Sequence, residues 1–104
     1  MNKELLKRWV AALRSGEYTQ GTGKLRMFDP VAECTRYCCL GVLREIEPSI
    51  CGVNEELLDR DSLRQHMGGD IQQRELAEKN DHGMPFPEIA NHIERMYLNN
   101  EENK

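Results

Sequence analysis

The 104-residue sequence lacks any long apolar run, which argues against a membrane-spanning protein. No stretch approaches the about 20 consecutive apolar residues that a transmembrane helix needs. The N-terminal segment MNKELLKRWV interrupts its apolar pattern with Lys7 and Arg8, so it does not contain the apolar block of a secretory signal. We therefore expect a cytoplasmic protein without a membrane partner.

The sequence also lacks a general surplus of positive charge. Its net charge is −4, and phosphate neutralisation requires an excess of cations, so the chain as a whole is unsuited to nucleic acid. Residues 1–44 carry eight Lys and Arg against four Asp and Glu, whereas residues 45–104 carry six against fourteen. This asymmetry predicts two surfaces of opposite sign, or two halves that attract each other on folding.

The four cysteines lack the paired spacing of a structural zinc site. Cys34 and Cys38 have a usable separation, but Cys51 stands alone, and adjacent residues on a helix such as Cys38 and Cys39 point about 100° apart. A disulfide is disfavoured in a cytoplasmic protein. We predict that Cys38 and Cys39 pack as small apolar residues, with no metal or cofactor.

Two further ligand motifs are incomplete. A calcium loop starting at Asp59 would need an oxygen ligand and a glycine where the sequence has Leu63 and Arg64. The segment QGTGKL resembles a phosphate loop only in part, because the full spacing and the following helix are missing. We interpret Gly21–Lys24 as a turn, with contact to an anion as the alternative.

Apolar periodicity and turn residues predict a mainly α fold at the margin of α+β, with one small extended, hairpin-like element near residues 17–28. Asp29 and Pro30 favour a helical turn. Gly41, inside the central helix, predicts a close neighbour. The first predicted helix is capped by Asn2 and ends near Ser15 and Gly16. The next spans residues 37–46 and ends before Pro48, and a short one spans residues 61–67 and ends before Gly68. Another runs from a cap at Asp70 to Asn80–Gly83, and the last runs from Pro87 to about Leu98.

These elements indicate a single globular domain over residues 1–98 and a solvated tail over residues 99–104. Ile89, Ala90, Ile93 and Met96 are expected to face inward from the last helix. The segment LAEKNDHGMPFPEIANHIE is similar to the first part of a helix-turn-helix DNA reader. No further helix follows it to enter a groove, and this half of the chain is acidic. For these two reasons nucleic-acid binding is an alternative function and not the first expectation.

The segments WVAALRSGEYTQGTGKLR, YCCLGVL and QQRELAEKNDHGMPFPEIANHIE resemble a family of small bacteriophage and prophage proteins without an assigned activity. The resemblance implies a setting, that of a phage accessory protein. Relatives often have another cysteine at Arg44 and a serine cap at Pro85. Asn80 and Asp81 keep the family pattern, in which they end one helix and start a turn.

From these observations we expect a non-enzymatic interaction protein that binds a host macromolecule, such as a defence or replication factor. The candidate binding residues are Arg14, Tyr18, Gln20, Lys24, Asn80 and Asp81. Nucleic-acid binding through the basic half is one alternative. The other is a cysteine-dependent enzyme centred on Cys38, because a helix N-terminus lowers a thiol pKa.

Overall fold

The first helix, α1 (Lys3–Arg14), forms as the sequence predicts. The structure, a computed structural model, describes residues 2–54 and 56–98, so the predicted tail at 99–104 lies outside the described residues. Asn2 Oδ1 accepts the Leu5 N–H at 3.1 Å, which satisfies a free donor of the first turn. The helix buries one stripe of side chains: Leu5, Leu6, Trp9, Val10 and Leu13.

Three short strands form a sheet in the order β1–β3–β2. They are β1 (Thr19–Gln20), β2 (Arg26–Asp29) and β3 (Cys34–Tyr37). β3 runs parallel to β1 and antiparallel to β2. The extended element predicted near residues 17–28 is therefore present but continues to Tyr37, and its hairpin is formed by β2 and β3.

The turn of this hairpin occupies residues 30–33, where the sequence favoured a helical turn. Asp29 Oδ1 accepts the N–H groups of Val31 and Ala32 at 3.0 and 3.2 Å. This capping interaction is the one expected of Asp29, but it closes a turn because β3 pairs immediately afterwards with β2. Tertiary pairing thus overrides the local signal.

The central helix is α2 (Cys39–Ile46), with Cys38 at its N-cap position and Tyr37 still in β3. It begins two residues later than the predicted start, because β3 extends through Tyr37. A Cβ atom on Gly41 would lie 1.7 Å from the Leu25 carbonyl oxygen, so the helix packs directly on main chain there. The close neighbour predicted at Gly41 is confirmed.

The second half of the described chain contains α3 (Arg60–Met67), α4 (Gln73–Asp81) and α5 (Phe86–Ile93), which continues as a π-helical turn over Glu94–Leu98. The predicted cap at Asp70 is wrong. The N-cap residue of α4 is Gln72, whose side chain makes no capping hydrogen bond, and Asp70 lies within 4 Å of Arg60 and Arg64.

Three of the four inward positions predicted for the last helix are confirmed, since Ile89, Ala90 and Ile93 are all fully buried. Met96 is 43% exposed, so its inward prediction is wrong. The π-helical turn accommodates an extra residue, which shifts the positions after Ile93 off the 3.6-residue periodicity used for the prediction.

The core lies between α1, α2, α4 and α5. Helix α1 packs on α2 and α5, and α4 packs on the same two helices. The indole N–H of Trp9 is buried and donates to the Cys39 carbonyl oxygen at 2.9 Å, which fixes α1 against the start of α2. Among the described residues, no helix combines the length and the apolar character that crossing a bilayer requires.

Candidate interaction surface

Three of the six predicted binding residues lie together, in a cluster that we call the clasp: Gln20, Asn80 and Asp81. Asn80 is the centre and is fully buried. Its Oδ1 accepts from Gln20 Nε2 at 3.0 Å and from the Cys39 N–H at 3.3 Å. Its Nδ2 donates to the Gly21 carbonyl oxygen at 2.7 Å. The amide group of Asn80 therefore has its hydrogen bonds inside the protein.

The other two members extend the clasp to the neighbouring loops. Gln20 Nε2 also donates to the Met84 carbonyl oxygen at 2.7 Å, and its Oε1 accepts the Phe86 N–H at 3.1 Å. Asp81 Oδ1 accepts the Gly23 N–H at 2.9 Å. The clasp thus joins β1 and the loop after it to the turn between α4 and α5. Sequence reasoning assigned helix termination to Asn80 and Asp81 but had no signal for Gln20 as their partner.

The remaining predicted residues lie elsewhere. Arg14 contacts α5, with Nη1 3.1 Å from Glu94 Oε2 and Nη2 2.6 Å from Asn91 Oδ1. Tyr18 packs edge-on against Tyr37, with ring centroids 5.4 Å apart. Lys24 lies exposed in the loop before β2. The six residues do not share one surface, and their role in binding remains a prediction.

A different feature stands out on the hairpin, where three large apolar side chains are exposed. Val31 is 94% exposed, Phe28 60% and Met27 40%. Together with the exposed Arg26 we call these residues the hairpin surface. Contiguous apolar patches on a protein surface often mark an interaction site, and Val31 and Phe28 are the most exposed members of this group. Sequence reasoning used Met27 and Phe28 only as indicators of extended chain, although two adjacent apolar residues must include one that points away from the core.

The hairpin surface includes a strand edge, because β2 is an outer strand of the sheet and pairs only with β3 in the described part of the chain. The Cys38 N–H donates to the Leu25 carbonyl oxygen, so the main-chain groups of Leu25 point toward β3. In an antiparallel ladder these groups alternate in direction. Met27 and Asp29 therefore bond toward β3, and the N–H and C=O groups of Arg26 and Phe28 point away from the sheet.

Side-chain interactions hold the hairpin in place. Arg36 Nε donates to Asp29 Oδ2 at 2.9 Å across β2 and β3. This guanidinium contact is the main reason that the pKa of Asp29 lies below its ordinary value. Tyr37 also donates its hydroxyl to Glu45 Oε1 at 3.2 Å, which ties β3 to α2. The apolar side chains are therefore presented on an ordered scaffold.

Cys38 and Cys39 are both buried, as the sequence predicts. Cys38 borders a cavity of about 260 Å³ that Arg74, Glu78 and Asp81 also line. Burial raises the pKa of the Cys38 thiol, and the negative charge of Asp81 adds to that effect, although the helix N–H groups of Leu40 and Gly41 oppose it.

Burial also raises the pKa of Cys39 well above its ordinary range. An activated nucleophile needs the opposite shift. Within residues 2–54 and 56–98, no three His, Cys, Asp or Glu side chains are placed to hold a metal ion.

A comparison with protein families places the N-terminal half of the chain. A family model described as a domain of unknown function, DUF8296, matches residues 1–55, slightly more than half of the sequence. No curated protein and no solved structure matches the chain. The matched segment includes α1, the complete sheet with the hairpin surface, and α2, whereas Asn80 and Asp81 lie outside it. The chain belongs to the DUF8296 family.

Proposed function

We propose that this protein is a non-enzymatic interaction protein that binds another protein through the hairpin surface. The observation that supports the proposal most is the exposure of Phe28 and Val31 on a hairpin that hydrogen bonds and an ion pair keep ordered. A partner would bury these side chains, and each buried apolar residue contributes roughly 1.5–3 kcal/mol before the costs of association.

The resemblance to small phage and prophage proteins supports the setting of the proposal. In that setting the partner is a host protein, for example a defence or replication factor that binding would inhibit. The family match adds that the complete hairpin lies inside the part of the chain that the DUF8296 model describes. The buried thiol of Cys38 gives no comparable support to a cysteine-dependent enzyme.

Nucleic-acid binding through the basic half finds less support. The guanidinium of Arg14 contacts the carboxylate of Glu94. That of Arg36 contacts Asp29. Cations already engaged with carboxylates contribute less to the release of counterions from phosphates, which drives such binding.

The proposal is tested by capturing partners from host lysate with the immobilised full chain and with two matched variants. Val31→Asp places a charge on the hairpin surface, whereas Val53→Asp makes the same change at an exposed valine outside it. We expect the wild type and Val53→Asp to capture the same partner in similar amounts. Val31→Asp should capture at least about tenfold less of that partner. Equal capture by both variants would contradict the proposal, as would a loss confined to Val53→Asp.

A further inference from the structure

We propose that β2 pairs antiparallel with β2 of a second copy of this chain, about a twofold axis at Met27, so that two sheets become one. The inference rests on the proposed function in one respect, that the hairpin surface is an interaction surface. It adds that the outer edge of β2 binds a second copy of this chain. Within the described residues, β2 pairs with β3 alone and contains no bulge or proline, so its outer edge is protected only by its four-residue length and by the charges of Arg26 and Asp29.

The main-chain groups at the edge define how a second strand can bind. Only Arg26 and Phe28 direct N–H and C=O groups outward from β2. When Arg26 lies opposite the second copy's Phe28, the two residues exchange both of their N–H···O=C bonds. The twofold axis repeats this exchange on the other side of Met27, so every outward main-chain group of β2 acquires a partner.

Side-chain chemistry selects this register over its neighbours. A shift of the axis to Arg26 would place two guanidinium groups directly opposite each other, which is destabilising. A shift to Phe28 would place Arg26 opposite Pro30, which has no N–H to donate. The register centred on Met27 has neither fault.

The same register also covers apolar surface. Met27 meets the second copy's Met27 at the closely spaced, non-hydrogen-bonded position of the ladder, which buries a side chain that is 40% exposed in the single chain. On the opposite face, Arg26 lies beside the ring of the second copy's Phe28, where a cation–π contact is favourable. In the dimer, one side of the Phe28 ring contacts the second copy. Val31 lies beyond the paired residues, so it is the side chain that stays fully accessible to the partner of the proposed function.

Disulfide formation tests the register. Cα atoms at a non-hydrogen-bonded pair are about 4.5 Å apart, within the roughly 4.4–6.8 Å that disulfides span. In a Cys34→Ser, Cys51→Ser background, we expect Met27→Cys to form a covalent dimer under mild oxidation. Val53→Cys, which changes an exposed position outside the hairpin, should form no covalent dimer. Equal cross-linking of the two variants would overturn the register.

A charge-swap experiment tests the dimer itself by sedimentation. We expect the mass of the wild type to rise with concentration toward that of a dimer. Met27→Lys and Met27→Glu should each remain monomeric, because like charges meet at the axis, and an equimolar mixture of the two should restore the dimer. A wild type that stays monomeric up to near-millimolar concentration, or a mixture that fails to associate, would overturn the proposal.

The outcomes for the dimer and for the proposed function are separable. Val31→Asp should keep the dimer and lose the host partner. If that variant loses the partner while the wild type is monomeric, the proposed function stands and the pairing of β2 falls. If the wild type is dimeric and Val31→Asp still captures the partner, the pairing stands and the proposed function falls.

Discussion

The thiol of Cys38 lies at the N-cap position of α2, yet burial dominates its chemistry. Only 3% of the residue is exposed, and a thiolate there would lose its hydration. The N–H groups of the first helical turn favour the thiolate, but desolvation and the charge of Asp81 disfavour it more. At this residue, position on a helix does not imply reactivity.

We therefore predict that Cys38 reacts slowly with iodoacetamide in the folded protein. Cys51 is exposed and serves as the internal standard, because its labelling reports a thiol with free access. Mass spectrometry of peptides should show Cys38 and Cys39 modified at least about tenfold more slowly than Cys51. In denaturant, which removes burial, the rates should converge. Labelling of Cys38 at the rate of Cys51 without denaturant would revive the cysteine-dependent enzyme.

Single residues also show how far sequence reasoning extends. Gly41 was predictable as a contact point, because glycine in a helix interior is unfavourable by roughly 1 kcal/mol and needs a reason. Its neighbour Leu25 was not predictable, since the contact depends on how the loop before β2 crosses α2. The exposure of Phe28 was missed for the same reason: strand propensity indicates extended chain but not which face is covered.

At the scale of elements, the clasp connects the sheet to the helices. Asn80 lies in the last turn of α4 and hydrogen-bonds both to the loop after β1 and to the first N–H of α2. The end of α4 was predicted correctly from the Asn80–Asp81 pair, a local signal. The hydrogen bonds to Gln20 and Gly21 join residues about sixty positions apart, for which a single sequence has no local signal.

We predict that Asn80→Ala lowers the free energy of unfolding by about 2–3 kcal/mol, since the buried N–H of Cys39 and the part-buried carbonyl oxygen of Gly21 would lose their partner. Urea unfolding monitored by circular dichroism measures the change. Asp81→Ala is the control, because Asp81 is exposed and its removal should reduce stability by no more than about 1 kcal/mol. Similar unfolding midpoints for the two variants would show that the clasp does not depend on Asn80.

The same comparison has a functional use. If Asn80→Ala and Asp81→Ala both retain the host partner at a temperature where they are folded, the clasp is a structural connection and the hairpin surface carries the binding. The prediction that Asn80 and Asp81 bind a partner would then be wrong. Loss of the partner in Asp81→Ala alone would instead support that prediction, because Asp81 is the exposed member of the pair.

Across the whole molecule, the uneven charge of the sequence is expressed only in part as contacts between its two halves. Arg14 of the basic half lies 3.1 Å from Glu94 of the acidic half, and Arg8 lies 3.9 Å from Glu47. Both arginines are more than a third exposed, so such pairs contribute little to stability. Apolar packing of α1 on α5 and the clasp therefore hold the halves together, and charge attraction is secondary.

The ion pair between Arg14 and Glu94 nevertheless gives stability a predictable dependence on pH. The guanidinium holds the pKa of Glu94 below its ordinary value of 4.5. Because the pKa is lower in the folded than in the unfolded state, the pair stabilises the protein above about pH 4.5, and this contribution is lost as pH falls through the folded pKa.

We predict that Arg14→Gln raises the pKa of Glu94 toward 4.5 and leaves that of Asp29 low, since Arg36 holds the latter. Arg36→Gln should have the reverse effect. Carboxyl titration by NMR in both variants measures this, and each variant is the control for the other. If both carboxyl pKa values move together in either variant, the two ion pairs are coupled through a shared unfolding step. The hairpin would then not be the independent, ordered projection from the helices that its proposed role in binding requires.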